Sequence, residues 1–181
     1  MFRPVCLLAL VVALIPAEVC AQSDPAQAAG HASASVIEPI SVVPLRDLSF
    51  GALTVGRQTG GTVAISAQTA TASYNGTVMP VCTGSDGCAG HPALVAILGE
   101  AGRAYRVQLP AMVIAEGQAT GQRLEVTSLV LVSRNRGLSG RRGRLDQEGS
   151  DLLTIGGVLA VPAATWPDRF HAEISISVAY D

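Results

Sequence analysis

Along residues 170–180, Phe170, Ala172, Ile174, Ile176, Val178 and Tyr180 alternate with His171, Glu173, Ser175 and Ser177. A period of two puts one set of side chains on each face of an extended chain, so this stretch reads as a half-buried strand. Apolar runs of similar length recur upstream at 36–43, 62–67, 93–98, 104–109, 124–132, 152–155 and 158–161. Gly, Pro, Asn and Asp punctuate the gaps, β-branched residues fill the runs, and no helical spacing is sustained for three turns. The pattern predicts an all-β chain, an immunoglobulin-like β-sandwich of about eight or nine strands. Aromatic residues are only 4% of the sequence, so Val, Ile, Leu and Ala have to fill the core.

The amino terminus follows a different rule. Arg3 precedes an uninterrupted apolar stretch over 5–15, then Pro16, then Val19 and Ala21. This is the layout of a cleavable secretory signal over residues 1–21. The stretch is too short for a membrane span, which needs about 20 apolar residues. A lipoprotein reading through Cys20 would place the bulky Val19 where a small residue is usual. Residues 22–35 are Ala, Ser, Gln and Gly with little apolar weight and are expected to form a flexible leader. Residues 36–181 form the predicted sandwich domain, one domain by length. The chain is thus expected to be exported to the periplasm, cell surface or extracellular space, with no transmembrane segment after cleavage.

Cys6 and Cys20 fall within the signal, which leaves Cys82 and Cys88 in an oxidising compartment. The intervening Thr83, Gly84, Ser85, Asp86 and Gly87 form a flexible link, and a Cys82–Cys88 disulfide is expected. The competing metal reading joins Cys82, Cys88 and His91. It lacks a fourth ligand, and its cysteines stand farther apart than structural zinc pairs.

Twelve basic and fourteen acidic residues give a net charge of −2, which offers no general attraction to nucleic acid. Arg134, Arg136, Arg141, Arg142 and Arg144 concentrate in one loop, but Asp146, Glu148 and Asp151 follow and no aromatics interleave, so the loop reads as solvated. Asn75-Gly76-Thr77 fits a glycosylation triplet, which in a bacterial protein is fortuitous. Gly60-Gly61 and Gly156-Gly157 read as turn or bulge positions needing positive φ. His31, His91 and His171 are scattered. No nucleophile elbow, metal-binding helix or phosphate loop is present, so no catalytic residue, metal or cofactor is assigned and no enzymatic activity is expected. A hydrolase would require carboxylates such as Asp47, Glu100 and Glu125 to meet in one cleft.

Five stretches taken in order carry a family resemblance: Leu48-Ser49-Phe50-Gly51, Gly61-Thr62-Val63, Tyr105-Arg106-Val107-Gln108-Leu109-Pro110, Ile155-Gly156-Gly157-Val158-Leu159, and residues 170–180. Over 36–180 the chain resembles the secreted bacterial proteins grouped as domain of unknown function 4402. It departs from them at Thr165-Trp166-Pro167-Asp168, where a glycine-rich turn is usual. That family is itself similar to chaperone-usher pilin subunits and spore-coat-U-like pilins. The resemblance implies a structural or adhesive surface subunit that assembles by strand complementation with like subunits or a periplasmic chaperone. Phe170, Ile174, Ile176, Val178 and the penultimate Tyr180 match the pilin partner strand, although the glycine that pilins place before it is absent. The donor segment would be residues 33–45 with Val36, Ile40 and Val42, interrupted by Pro39 and Pro44. The alternative is a monomeric binding module whose arginine or cysteine loop engages a glycan or surface ligand.

Overall fold

The computed structural model describes residues 28–82, 88–137 and 140–181. The signal-peptide reading of residues 1–21, the first part of the leader reading and the link between the cysteines lie outside these residues. The chain divides into two units, Met1–Ser35 and Val36–Asp181. In the first, residues 28–35 are exposed and carry no strand.

The second unit is all-β and antiparallel. Its strands in chain order are β1 (Ser41–Arg46), β2 (Leu53–Thr54), β3 (Gly61–Ile65), β4 (Ala72–Gly76), β5 (Met79–Pro80), β6 (Ala93–Leu98), β7 (Ala104–Gln108), β8 (Met112–Gly117), β9 (Arg123–Ser133), β10 (Arg142–Arg144), β11 (Ser150–Val161), β12 (Phe170–His171) and β13 (Ser177–Tyr180). Among the described residues thirteen strands stand where eight or nine are expected. The runs at 152–155 and 158–161 merge into β11, the final run divides into β12 and β13, and β4, β8 and β10 form where no apolar run marks them. The first run becomes a strand only from Ser41, with residues 36–40 outside it. No helix among the described residues is long and apolar enough to cross a membrane.

The large sheet has the order β1-β6-β11-β9-β8-β12. The long β11 pairs with β6 through residues 150–155 and with β3 through residues 157–161, while β9 follows its other edge. β4 extends the sheet beyond β3. A second sheet, β10-β7-β13, and the short β2-β5 pair complete the fold.

Two buried clusters lie against the large sheet. The first joins Val95 and Ile97 of β6, Leu131 of β9 and Leu153 and Ile155 of β11 to Tyr105 and Val107 of β7, with Ile176, Val178 and Tyr180 packed against it. It is the core between the two sheets. The second joins Val63 and Ile65, Ala115, Leu124 and Val126, and Leu159 and Val161. Aliphatic cores of this kind gain about 25 cal/mol per Å² of apolar surface removed from water.

Both clusters draw on β9 because the strand changes phase between them. Leu124 and Val126 point inward near one end and Leu131 near the other, an odd spacing that plain alternation forbids. A bulge resolves it: Ser128 has φ 52° and the register of β9 against β11 shifts between Gly156 and Val158. Leu129 thereby packs against both clusters. The bulge expected near Gly156-Gly157 is present, but the positive φ belongs to Ser128 on the facing strand and not to these glycines. Gly156 serves close approach instead, since a Cβ there would collide with the Ile65 carbonyl. Gly60 and Gly61 likewise face backbone oxygens of Val161 and Asn75.

Candidate binding groove

The second core cluster has no complete sheet above it. The β10-β7-β13 sheet covers the first cluster, and over the second the covering layer consists of residues 47–55 on one side and 165–174 on the other. Between them runs an open groove of about 1110 Å³. Its floor is the inward face of β8, β9 and β11, including Val113, Ala115, Val126 and Leu159; Phe50, Leu53, Trp166, Phe170 and Ile174 line its sides. Phe170 and Ile174, from the inward side of the alternating final run, are only half-buried here.

The 47–55 wall is held by both arms of the cysteine loop. The expected Cys82–Cys88 disulfide is present, with Cα atoms 5.9 Å apart. Upstream of it, β5 pairs with β2 and the Val81 amide donates to the Ala52 carbonyl at 2.8 Å. Downstream, the Ala52 amide donates to the Cys88 carbonyl at 2.9 Å, and Ser49 and His91 exchange backbone bonds of 3.0 and 2.8 Å. Gly51, with φ 80°, turns the wall where a Cβ would stand 2.7 Å from the Cys88 oxygen. His91 takes part in this bridge through its backbone, and among the described residues no group of three or more His, Cys, Asp and Glu is placed to hold a metal.

The opposite wall is fixed by Asp168. Its carboxylate accepts from the Thr120 hydroxyl at 2.6 Å, the Thr120 amide at 2.8 Å, the Ala119 amide at 3.0 Å and its neighbour Arg169's amide at 2.7 Å. Bonding to the Thr120 hydroxyl, aided by these amides, lowers the Asp168 pKa to about 2. The Gln122 side chain also accepts from the Trp166 amide at 3.1 Å. The unusual Thr165-Trp166-Pro167-Asp168 stretch thus clips the wall to the β8–β9 turn. Nothing in the spacing of Asp168 from Thr120 marks this pairing in the sequence.

The residues of the final run have divided roles. Phe170 belongs to β12 and pairs with Gly117 of β8, whereas Val178 and Tyr180 belong to β13 and pair with Val107 and Tyr105. The Tyr180 hydroxyl accepts from the Glu100 amide at 2.7 Å and donates to the Glu38 carbonyl at 2.8 Å. Between these strands, residues 172–176 leave the large sheet and have not yet entered the second. Among the described residues none of their backbone groups makes a hydrogen bond, yet Ile174 and Ile176 stay half-buried on the inward side. The segment is extended, alternating and unpaired.

Asp47, Glu100 and Glu125 do not meet. Asp47 lines the groove, Glu100 pairs with Arg103 at 2.9 Å in a turn, and Glu125 stands on the opposite face of β9 from the groove floor. In the arginine loop, Arg142 lies 3.4 Å from the Asp181 carboxylate, with Arg106 of β7 at 3.2 Å, and the Arg144 Nε donates to the Gly102 carbonyl at 2.9 Å. Arg134, Arg136 and Arg141 are exposed.

A family model described as domain of unknown function (DUF4402) matches residues 40–180. No curated protein and no solved structure matches the chain.

Proposed function

This chain belongs to the DUF4402 family, and we propose that it is an exported, non-enzymatic structural or adhesive subunit, acting in the periplasm or at the cell surface by accepting an extended strand from a like subunit or an export chaperone. The observation that carries this reading is the unpaired backbone of residues 172–176 beside an open, apolar-floored groove. A strand laid there would gain ladder bonds along the free edge and place alternate side chains over Val113, Val126 and Leu159. Five residues of ladder correspond to a strand about 17 Å long. Of the donor run at 33–45, Ser41 onward is occupied as β1 beside β6. The Glu38 carbonyl accepts from Tyr180 and Ile40 packs against the first cluster, which leaves residues 33–37 to be donated, where Val36 is 97% exposed.

The test is a gel of native surface and periplasmic fractions, unheated against boiled in detergent, for the wild type and for Ile174→Lys. The expected result is a ladder that boiling collapses to the monomer band, and its loss in Ile174→Lys with the monomer still soluble. A single monomer band from the wild type under both conditions overturns the proposal.

A second reading, a monomeric module that binds a glycan, draws support from Trp166, which is 70% exposed on the groove wall and offers a flat apolar face to a sugar ring. Saturable quenching of its fluorescence by an oligosaccharide would favour it.

A further inference from the structure

The outward face of the large sheet carries information that the groove does not use. Strand registers place Val43 of β1 beside Ala96 of β6 and Leu152 of β11, then Leu94 beside Thr154 and Val132, Val130 beside Gly156, Val158 beside Thr127 and Met112, and Ile114 beside Glu125. All of these point away from both core clusters. The outer layer of an antiparallel sheet ordinarily alternates to polar residues, whereas strands covered on both faces read as nearly continuous apolar runs. β6 (ALVAIL) and β11 (SDLLTIGGVLAV) read in the second way.

Five large side chains on this face are substantially exposed: Val43 39%, Ile114 40%, Leu98 42%, Val130 45% and Met112 48%. With the half-exposed residues between them they form one contiguous apolar face, the kind of surface that marks an interaction site on a soluble protein. Among the described residues, charges on this face stand toward its ends, with Arg46 opposite Leu94 and Arg134 beside Leu152 toward one and Glu116, Arg123 and Glu125 at the other.

We propose that this face packs against the same face of a second copy of the chain. An isologous two-fold contact requires a self-complementary patch, and an uncharged aliphatic sheet meets that condition where a charged surface would repel itself. Two sheets stack about 10 Å apart with their side chains interdigitated. A two-fold that exchanges the ends of the patch sets the Arg46 corner of one copy over the Glu125 corner of the other. This surface is separate from the groove and does not depend on strand donation.

The experiment is light scattering on the full chain, purified after export, over about 1–100 μM, the range in which an interface of modest affinity is read. The wild type is expected to pass from monomer to dimer, and the dimer to dissociate in unheated detergent, unlike a strand-exchanged polymer. The Leu98→Glu/Val130→Glu variant, altered at positions already exposed, is expected to dimerise at least about 100-fold more weakly with an unchanged circular dichroism spectrum. Met79→Glu, exposed but on β5, is expected to dimerise as the wild type does. A wild type that stays monomeric across the range overturns the proposal, as does a dimer unaffected by the double substitution. A monomeric wild type that floats with phosphatidylcholine vesicles, when the double variant does not, also overturns it and assigns the face to a lipid surface.

Discussion

Replacing Tyr105 with Phe tests the reading of the core at its most polar point. Asp151 is 3% exposed, and among the described residues it has no cationic partner. Its charge is held by donors alone: the Tyr105 hydroxyl at 2.7 Å and the Ser133 hydroxyl at 2.5 Å on one oxygen, and the Asn135 amide at 3.1 Å and its own neighbour Leu152's amide at 2.7 Å on the other. Tyr105→Phe removes one donor and keeps the ring, so no cavity opens. A hydrogen bond to a charged group contributes about 1.5–3 kcal/mol, the expected loss. At about 2–4 °C per kcal/mol for a domain of this size, Tm falls by about 3–12 °C.

The pH dependence gives an independent check. Burial raises the Tyr105 pKa above its ordinary value of 10.0, and bonding to Asp151 and its charge raise it further. A raised acid contributes stability that is fully present below pH 10 and is lost as pH rises above it, because the unfolded tyrosine ionises while the folded one stays protonated. Urea unfolding followed by circular dichroism should show wild-type stability falling more steeply above pH 10 than that of Tyr105→Phe. A variant as stable as the wild type at pH 7, or one with the same alkaline loss, would refute the reasoning.

The walls of the groove yield two more predictions. Replacing both Cys82 and Cys88 with Ser is expected to cost about 2 kcal/mol by releasing a short closed loop in the unfolded chain. Amide exchange should quicken first at Ala52, Val81 and His91, and uniform quickening across β11 as well would contradict a local role. Trp166, the single tryptophan, reports on the other wall. Asp168 has a depressed pKa, so its contribution is present above the ordinary carboxylate range and is lost as pH falls from about 4 to about 2. Trp166 emission should shift over that interval in the wild type, whereas Asp168→Ala should show the shifted emission at neutral pH and no acid transition.

The runs at 62–67, 93–98 and 104–109 place strands where the sequence puts them, because side-chain period is a local property, whereas the alternation at 170–180 does so only at its two ends. Cys82 and Cys88 were legible for a similar reason, as they stand only six residues apart in the chain. β8 was not, since Met112, Val113 and Ile114 are consecutive apolar residues that alternate only once β9 assigns them to opposite faces. Asp151 read as a loop carboxylate, yet its partner Tyr105 lies 46 residues away and only the packing of β7 onto β11 brings them together.

The sequence alone therefore determined that the chain is all-β and which of its residues alternate. Period-two patterning names the face of a residue but not what covers that face. Only the tertiary structure decided that the final run splits between two sheets and leaves residues 172–176 unpaired, that the second core opens into a groove, and that the large sheet is apolar on its outward side. Each depends on which strands become neighbours, a long-range choice set by packing and by backbone bonds between distant segments.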